Sequence, residues 1–210
     1  IMIPAMKSYR YPQFDTSEIA PDHNFAFTAT YALRPVKTGD AIPDFTLEKD
    51  NIRWQQFFNG VETHGPVMLR QMLNKPLVIS FYSSHWREYG LDLLKQLNNI
   101  QQDIRRFDAN LLVVGSEKER KLEKVAWDNG LSLSFYFDTQ KEVADRFGVY
   151  SESDPIWTRI SGVDTNVPLL ATYVISPSGK IEYDHIDWNF SEIFPSKEIL
   201  AAVNRTTLIQ

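Results

Sequence analysis

Two rhythms of apolar and polar side chains run along this chain, and each change of rhythm marks a boundary between elements. Short apolar runs occur at Leu77-Val-Ile-Ser-Phe-Tyr82, Leu111-Leu-Val-Val114 and Leu133–Phe137; their length and sharp ends predict buried strands. Between the first two, Tyr89, Leu93, Leu97, Ile100, Ile104 and Phe107 recur three or four residues apart, the spacing of one helix face, which predicts a long helix over 86–107. Ser116 is placed to cap a second helix over 117–129, with Leu122, Val125 and Ala126 turned inward and Asn129-Gly130 as the stop. Thr139–Phe147 predicts a third helix closed by Gly148. Ala171–Ser176 and Lys180–His185 form a hairpin about Pro177-Ser178-Gly179, and Pro195 suits the first turn of a last helix over 196–203.

Ahead of these elements, Gly39–Leu47 is a turn followed by a short alternating segment, and Ile52–Phe58 and Val67–Leu73 each read as one short helix or strand. The order of strands and helices gives an α/β domain over 37–210: a central mixed sheet, helices on both faces, and an antiparallel hairpin at one edge. Residues 1–36 hold Tyr9, Tyr11, Phe14, Phe25, Phe27 and Tyr31 among four prolines with no regular period. They read as an aromatic arm that packs on its own domain or on a second subunit, and the second option makes the chain a homodimer. The irregular stretch 151–166, with Trp157, has the length of a lid or interface loop.

The composition narrows the partners. A formal net charge of −5 gives no global attraction to nucleic acid or anionic lipid. No apolar run reaches the roughly 18 residues of a membrane span, and the first residues lack the apolar core of a secretory signal. The expectation is a cytoplasmic protein with no cofactor. His185 and Asp187 share one face of an extended strand, but two ligands are too few for a metal site, so none is expected. The chain has no Gly-rich phosphate loop, and Ser83-Ser84 lacks the Gly-x-Ser-x-Gly elbow of a serine nucleophile.

Three motifs in one order carry a resemblance. They are Gly39-Asp-Ala-Ile-Pro-Asp-Phe-Thr-Leu47, Phe135-Tyr-Phe-Asp-Thr-Gln-Lys-Glu-Val-Ala-Asp-Arg-Phe-Gly-Val149 and Ala171-Thr-Tyr-Val-Ile-Ser-Pro-Ser-Gly-Lys-Ile181. Together they resemble the peroxiredoxins of the alkyl hydroperoxide reductase and thiol-specific antioxidant family, which implies a thioredoxin-like fold over about 37–204. In that family the segment equivalent to 81–90 carries the reactive cysteine at a helix start, where a thiolate is stabilised. This chain has no cysteine anywhere.

Against the peroxiredoxin pattern Phe-Tyr-Pro-x-x-x-Thr-x-x-Cys, Ser83 takes the proline, Arg87 the threonine and Gly90 the peroxidatic cysteine. Against the thioredoxin-like variant, Arg87 and Gly90 take the two cysteine positions. Leu170 stands where related folds carry a catalytic arginine or a cis-proline. The former active-site pocket is therefore expected to comprise Ser83, Ser84, His85, Trp86, Arg87, Gly90 and Leu170, with no catalytic residue. The candidate anion-binding residue is Arg87, at a helix start where free N–H groups already favour negative charge; a carboxylate such as Glu88, or a bound anion, should lie against it. The leading expectation is a family member without thiol peroxidase activity that binds a small anion or a protein partner. The alternatives are an oxidoreductase whose redox group comes from a partner, and an unrelated activity built around Arg87 and His85.

Overall fold

A computed structural model of the chain describes residues 33–48, 53–63, 72–156, 163–188 and 193–208. Among the described residues there are seven strands: β1 (Trp54–Phe58), β2 (Val61–Thr63), β3 (Leu77–Tyr82), β4 (Asn110–Gly115), β5 (Ser134–Phe137), β6 (Ala171–Ile175) and β7 (Ile181–Ile186). The helices are α1 (Glu88–Arg106), α2 (Leu122–Asn129), α3 (Glu142–Arg146) and α4 (Ser196–Leu208). The strands form one sheet in the order β2-β1-β5-β4-β3-β6-β7. Pairing is parallel between β3 and β4 and between β4 and β5, and antiparallel elsewhere. This is the expected mixed α/β sheet.

The apolar run of β3 is explained by its place. It lies between β4 and β6, and all six of its residues are buried, as befits a strand covered on both faces. Its side chains alternate between two layers. Val78 joins Val174 of β6 against Ile104 of α1 and Ile199 and Val203 of α4. Phe81 points the other way, its ring 5.2 Å from that of Phe147 and 6.3 Å from that of Tyr173. The one polar residue of β3, Ser80, is fully buried and shares a 2.9 Å hydrogen bond with Thr172 of β6, so its hydroxyl is satisfied inside the core.

Several boundaries differ from the sequence reading for local physical reasons. The helix expected from Glu117 begins at Leu122, because the Ser116 hydroxyl donates to the Glu117 carboxylate instead of capping a helix. The single element expected over 52–58 is β1 of a hairpin, turned into β2 at Asn59 and Gly60, both at positive φ; Asn-Gly is the signal for that turn. The third helix is shortened because the buried Asp138 carboxylate accepts from the Ala144 N–H at 3.0 Å, drawing the chain before Glu142 into a turn. The alternating segment before Leu47 buries Phe45 and Leu47 without becoming a strand. The aromatic residues of the arm and Trp157 lie outside the described residues.

Residues 33–42 are bound to the domain along their length. Leu33 N–H donates to Asp154 at 3.0 Å, Val36 N–H to the Phe147 carbonyl at 3.0 Å and Gly39 N–H to the Ile181 carbonyl at 2.8 Å. Asp184 of β7 clasps the same strap, accepting from Thr38 N–H at 2.7 Å and Thr38 Oγ1 at 2.6 Å, with Lys37 Nζ 3.4 Å away. Partial burial opposes charge on Asp184, but the Thr38 hydrogen bonds and Lys37 outweigh it and hold the carboxyl below its ordinary value. Gly148 lies under this strap, and a Cβ there would stand 2.0 Å from the Arg34 carbonyl oxygen.

Two expectations follow for stability. Gly148 and Gly130 are both left-handed, at φ +68° and +57°, but a Cβ at Gly130 would meet nothing within 4 Å. Gly130→Ala should therefore cost only the conformational strain of about 1–2 kcal/mol, whereas Gly148→Ala adds overpacking for a total of about 2–5 kcal/mol, read from denaturant midpoints. Asp184 has a folded pKa below the unfolded value of about 4, so its stabilisation is complete above that value and is lost as pH falls through the folded pKa. The stability gap between wild type and Asp184→Asn should be constant above about pH 5 and should narrow on acidification below it.

Candidate functional site

The site lies where β3 gives way to α1, at the carboxyl ends of the parallel strands, the usual location of sites in such sheets. Ser83 is fully buried and extended, and its hydroxyl accepts from the His85 N–H at 3.3 Å. That cap starts a single 3₁₀ turn, Ser84–Trp86. Trp86 is buried, and its indole Nε1 donates to the Pro168 carbonyl at 2.7 Å, tying the turn to the segment that leads into Leu170 and β6.

Arg87 joins the 3₁₀ turn to α1 with φ +52° and ψ −120°, a conformation that glycine adopts without strain and a side chain does not. Its carbonyl accepts from Leu91 N–H at 3.0 Å, the first bond of the helix. The Arg87 side chain is exposed and makes no ion pair or hydrogen bond with any described residue, Glu88 included. The expected carboxylate partner is therefore not among the described residues.

Gly90 faces the opposite way. It is buried, and a Cβ on it would meet the Ser83 carbonyl oxygen and Tyr82 Cε2 each at 3.0 Å and Trp86 Cβ at 3.3 Å. The absence of a side chain is what allows the first turn of α1 to pack on the end of β3.

Two carboxylates complete the turn. Glu117, just beyond β4, accepts at Oε1 from Ser83 Oγ and Ser84 Oγ, both at 3.0 Å, and at Oε2 from Ser116 Oγ. Burial works against the charge of Glu119, yet the nearby Ser84 hydroxyl and the Lys121 N–H, which donates to it at 3.0 Å, with Lys121 and His85 nearby, hold its carboxyl below the ordinary range. The Tyr82 phenol is pushed well upward, first by burial and then by Glu119 and Glu117.

The structure brings Ser83, Ser84, His85, Trp86, Arg87 and Gly90 together in one turn. Leu170 is buried and helps line a cavity of about 360 Å³ with Tyr89, the residue before Gly90. Sequence reasoning assigned Ser116-Glu117 to a helix cap and missed Glu117 and Glu119 as parts of the site. The signal was available: Gly115-Ser-Glu-Lys-Glu119 directly follows a buried strand parallel to β3. Among the described residues no group of three His, Asp or Glu side chains is placed to hold a metal ion.

The family model described as AhpC/TSA matches residues 38–184, most of the chain. The chain belongs to the AhpC/TSA family. Among solved structures, AhpC of Enterococcus faecalis is 15% identical, with a TM-score of 0.58 over 82% of this chain and 93% of that one. The reduced 2-Cys peroxiredoxin of Plasmodium vivax is 17% identical, with a TM-score of 0.56 over 81% of each chain. Peroxidoxin BcpB of Mycobacterium tuberculosis is 19% identical, with a TM-score of 0.54 over 83% of this chain and 97% of that one. These likenesses show the peroxiredoxin-type thioredoxin fold. No curated protein matches the chain. It is a cysteine-free member of this family.

The packing of Gly90 generates a prediction. Gly90→Cys introduces sulfur at the start of α1 but should cost about 1–3 kcal/mol through crowding of Ser83 and Tyr82. The new thiol should react with a maleimide more slowly at pH 7 than free cysteine does, as measured by stopped-flow labelling, because it would be buried against Tyr82 and Trp86.

Proposed function

We propose that this AhpC/TSA chain has left thiol peroxidase chemistry and works by binding, with Arg87 as the anchor for an anionic group at the former active site. The group is a carboxylate or similar oxyanion, carried by a small molecule or by an acidic side chain of a protein partner. We take the protein to act in the cytoplasm and to self-associate.

The observation that supports this reading is the conformation of Arg87. Its backbone is in a glycine region, at a cost of order 1–3 kcal/mol, and the guanidinium it carries is exposed and unpaired among the described residues. The adjoining N–H groups at the start of α1 add to its attraction for an anion. A second reading, an oxidoreductase whose redox group is supplied by a partner, draws support from Tyr89. Beside Arg87, its ring is 54% exposed, which offers an aromatic contact to a docking protein.

Purified protein should show no turnover of hydrogen peroxide or alkyl hydroperoxides with dithiothreitol or thioredoxin as reductant. Sulfate and succinate should raise its melting temperature by mass action. Arg87→Gly should be more stable than wild type by about 1 kcal/mol without ligand, from relief of strain, yet should lose most of the anion response. Equal anion-induced shifts in the two proteins would overturn the Arg87 anchor. Turnover appearing only when a cellular thiol protein is added would favour the second reading.

A further inference from the structure

A cavity lies between α1 and the β6–β7 edge, beginning at Tyr89. Helix α1 presents Tyr89, Asp92, Leu93 and Gln96 to it, a spacing that places them on one helix face. The base is apolar: Leu93 and Leu170 are buried beneath it. Phe194 forms part of a wall and meets the His185 ring edge-on, with centroids 6.3 Å apart. The carboxylates of Asp92 and Asp187 line the same cavity, and among the described residues its lining contains no Lys or Arg. The volume of about 360 Å³ falls within the size range of small-molecule sites, roughly 300–1,000 Å³.

We propose that this cavity binds a small organic cation, a protonated or quaternary amine with an apolar body. The apolar portion occupies the base formed by Leu93 and Leu170, where it leaves water. The ammonium lies toward Asp92 and Asp187, within reach of the faces of Tyr89 and Phe194, which attract cations. Asp92 is exposed and makes no ion pair or hydrogen bond with any described residue, so its charge is available to a ligand. An anion with the same body is disfavoured by both carboxylates, and a bare metal ion is poorly served because no three ligating side chains cluster among the described residues. The proposal is independent of the Arg87 reading, since the two surfaces select opposite charges and share no charged residue.

The test uses the full chain with three probes of similar size: phenethylamine, 3-phenylpropionate and 2-phenylethanol. Phenethylamine should give a saturable rise in melting temperature and saturable NMR shifts in α1 resonances, the alcohol a weaker response, and the carboxylate none. Asp92→Asn and Asp187→Asn should each weaken amine binding five- to tenfold. Should Asp187→Asn fail to fold, Asp92→Asn alone decides, because Asp92 is an exposed helix position. No saturable amine binding, a carboxylate response equal to that of the amine, or full amine binding in Asp92→Asn would overturn the proposal.

Discussion

The complete burial of β3 is the constraint on which the other elements depend. A strand whose six residues are all withdrawn from water must be covered on both faces, and each large apolar side chain so placed contributes about 1.5–3 kcal/mol. Helices α1 and α4 supply one cover, and the Phe45, Phe147 and Tyr173 aromatics the other. The buried Ser80–Thr172 bond adds a polar cross-link that only the observed register of β3 and β6 satisfies. Because β3 is fixed, the point where the chain leaves it is fixed as well, and the turn at Ser83 inherits that precision.

The turn is held together by three kinds of contact. Three hydroxyls converge on Glu117, the Trp86 indole is anchored to Pro168, and Gly90 permits close approach of helix to strand. These contacts tie the turn together beside an exposed arginine. The half-buried Glu117 is occupied by three hydroxyls, whereas the Arg87 guanidinium has no partner among the described residues.

Much of this was legible in the sequence. Continuous apolar runs located β3 and β4, helical spacing located α1, and three separated motifs identified the fold, because all of these reflect burial and local turn chemistry. Tyr89 continues the apolar face of α1 in sequence, yet it emerges at the surface, on the rim of the cavity that Leu93 and Leu170 floor. Glu117 and Glu119 were missed because their role arises from the pairing of β3 with β4, a contact across more than 30 residues that no local pattern encodes. The strain at Arg87 was equally hidden, since nothing in Trp86-Arg87-Glu88 announces a positive φ.

Gly90 also sets where this turn can accept change. The Ser83 carbonyl oxygen and the Tyr82 ring would each stand 3.0 Å from a Cβ added there. Any residue larger than glycine makes these neighbours shift within a packed core. The turn is therefore most open to substitution at exposed positions such as Arg87, while its buried glycine stays fixed.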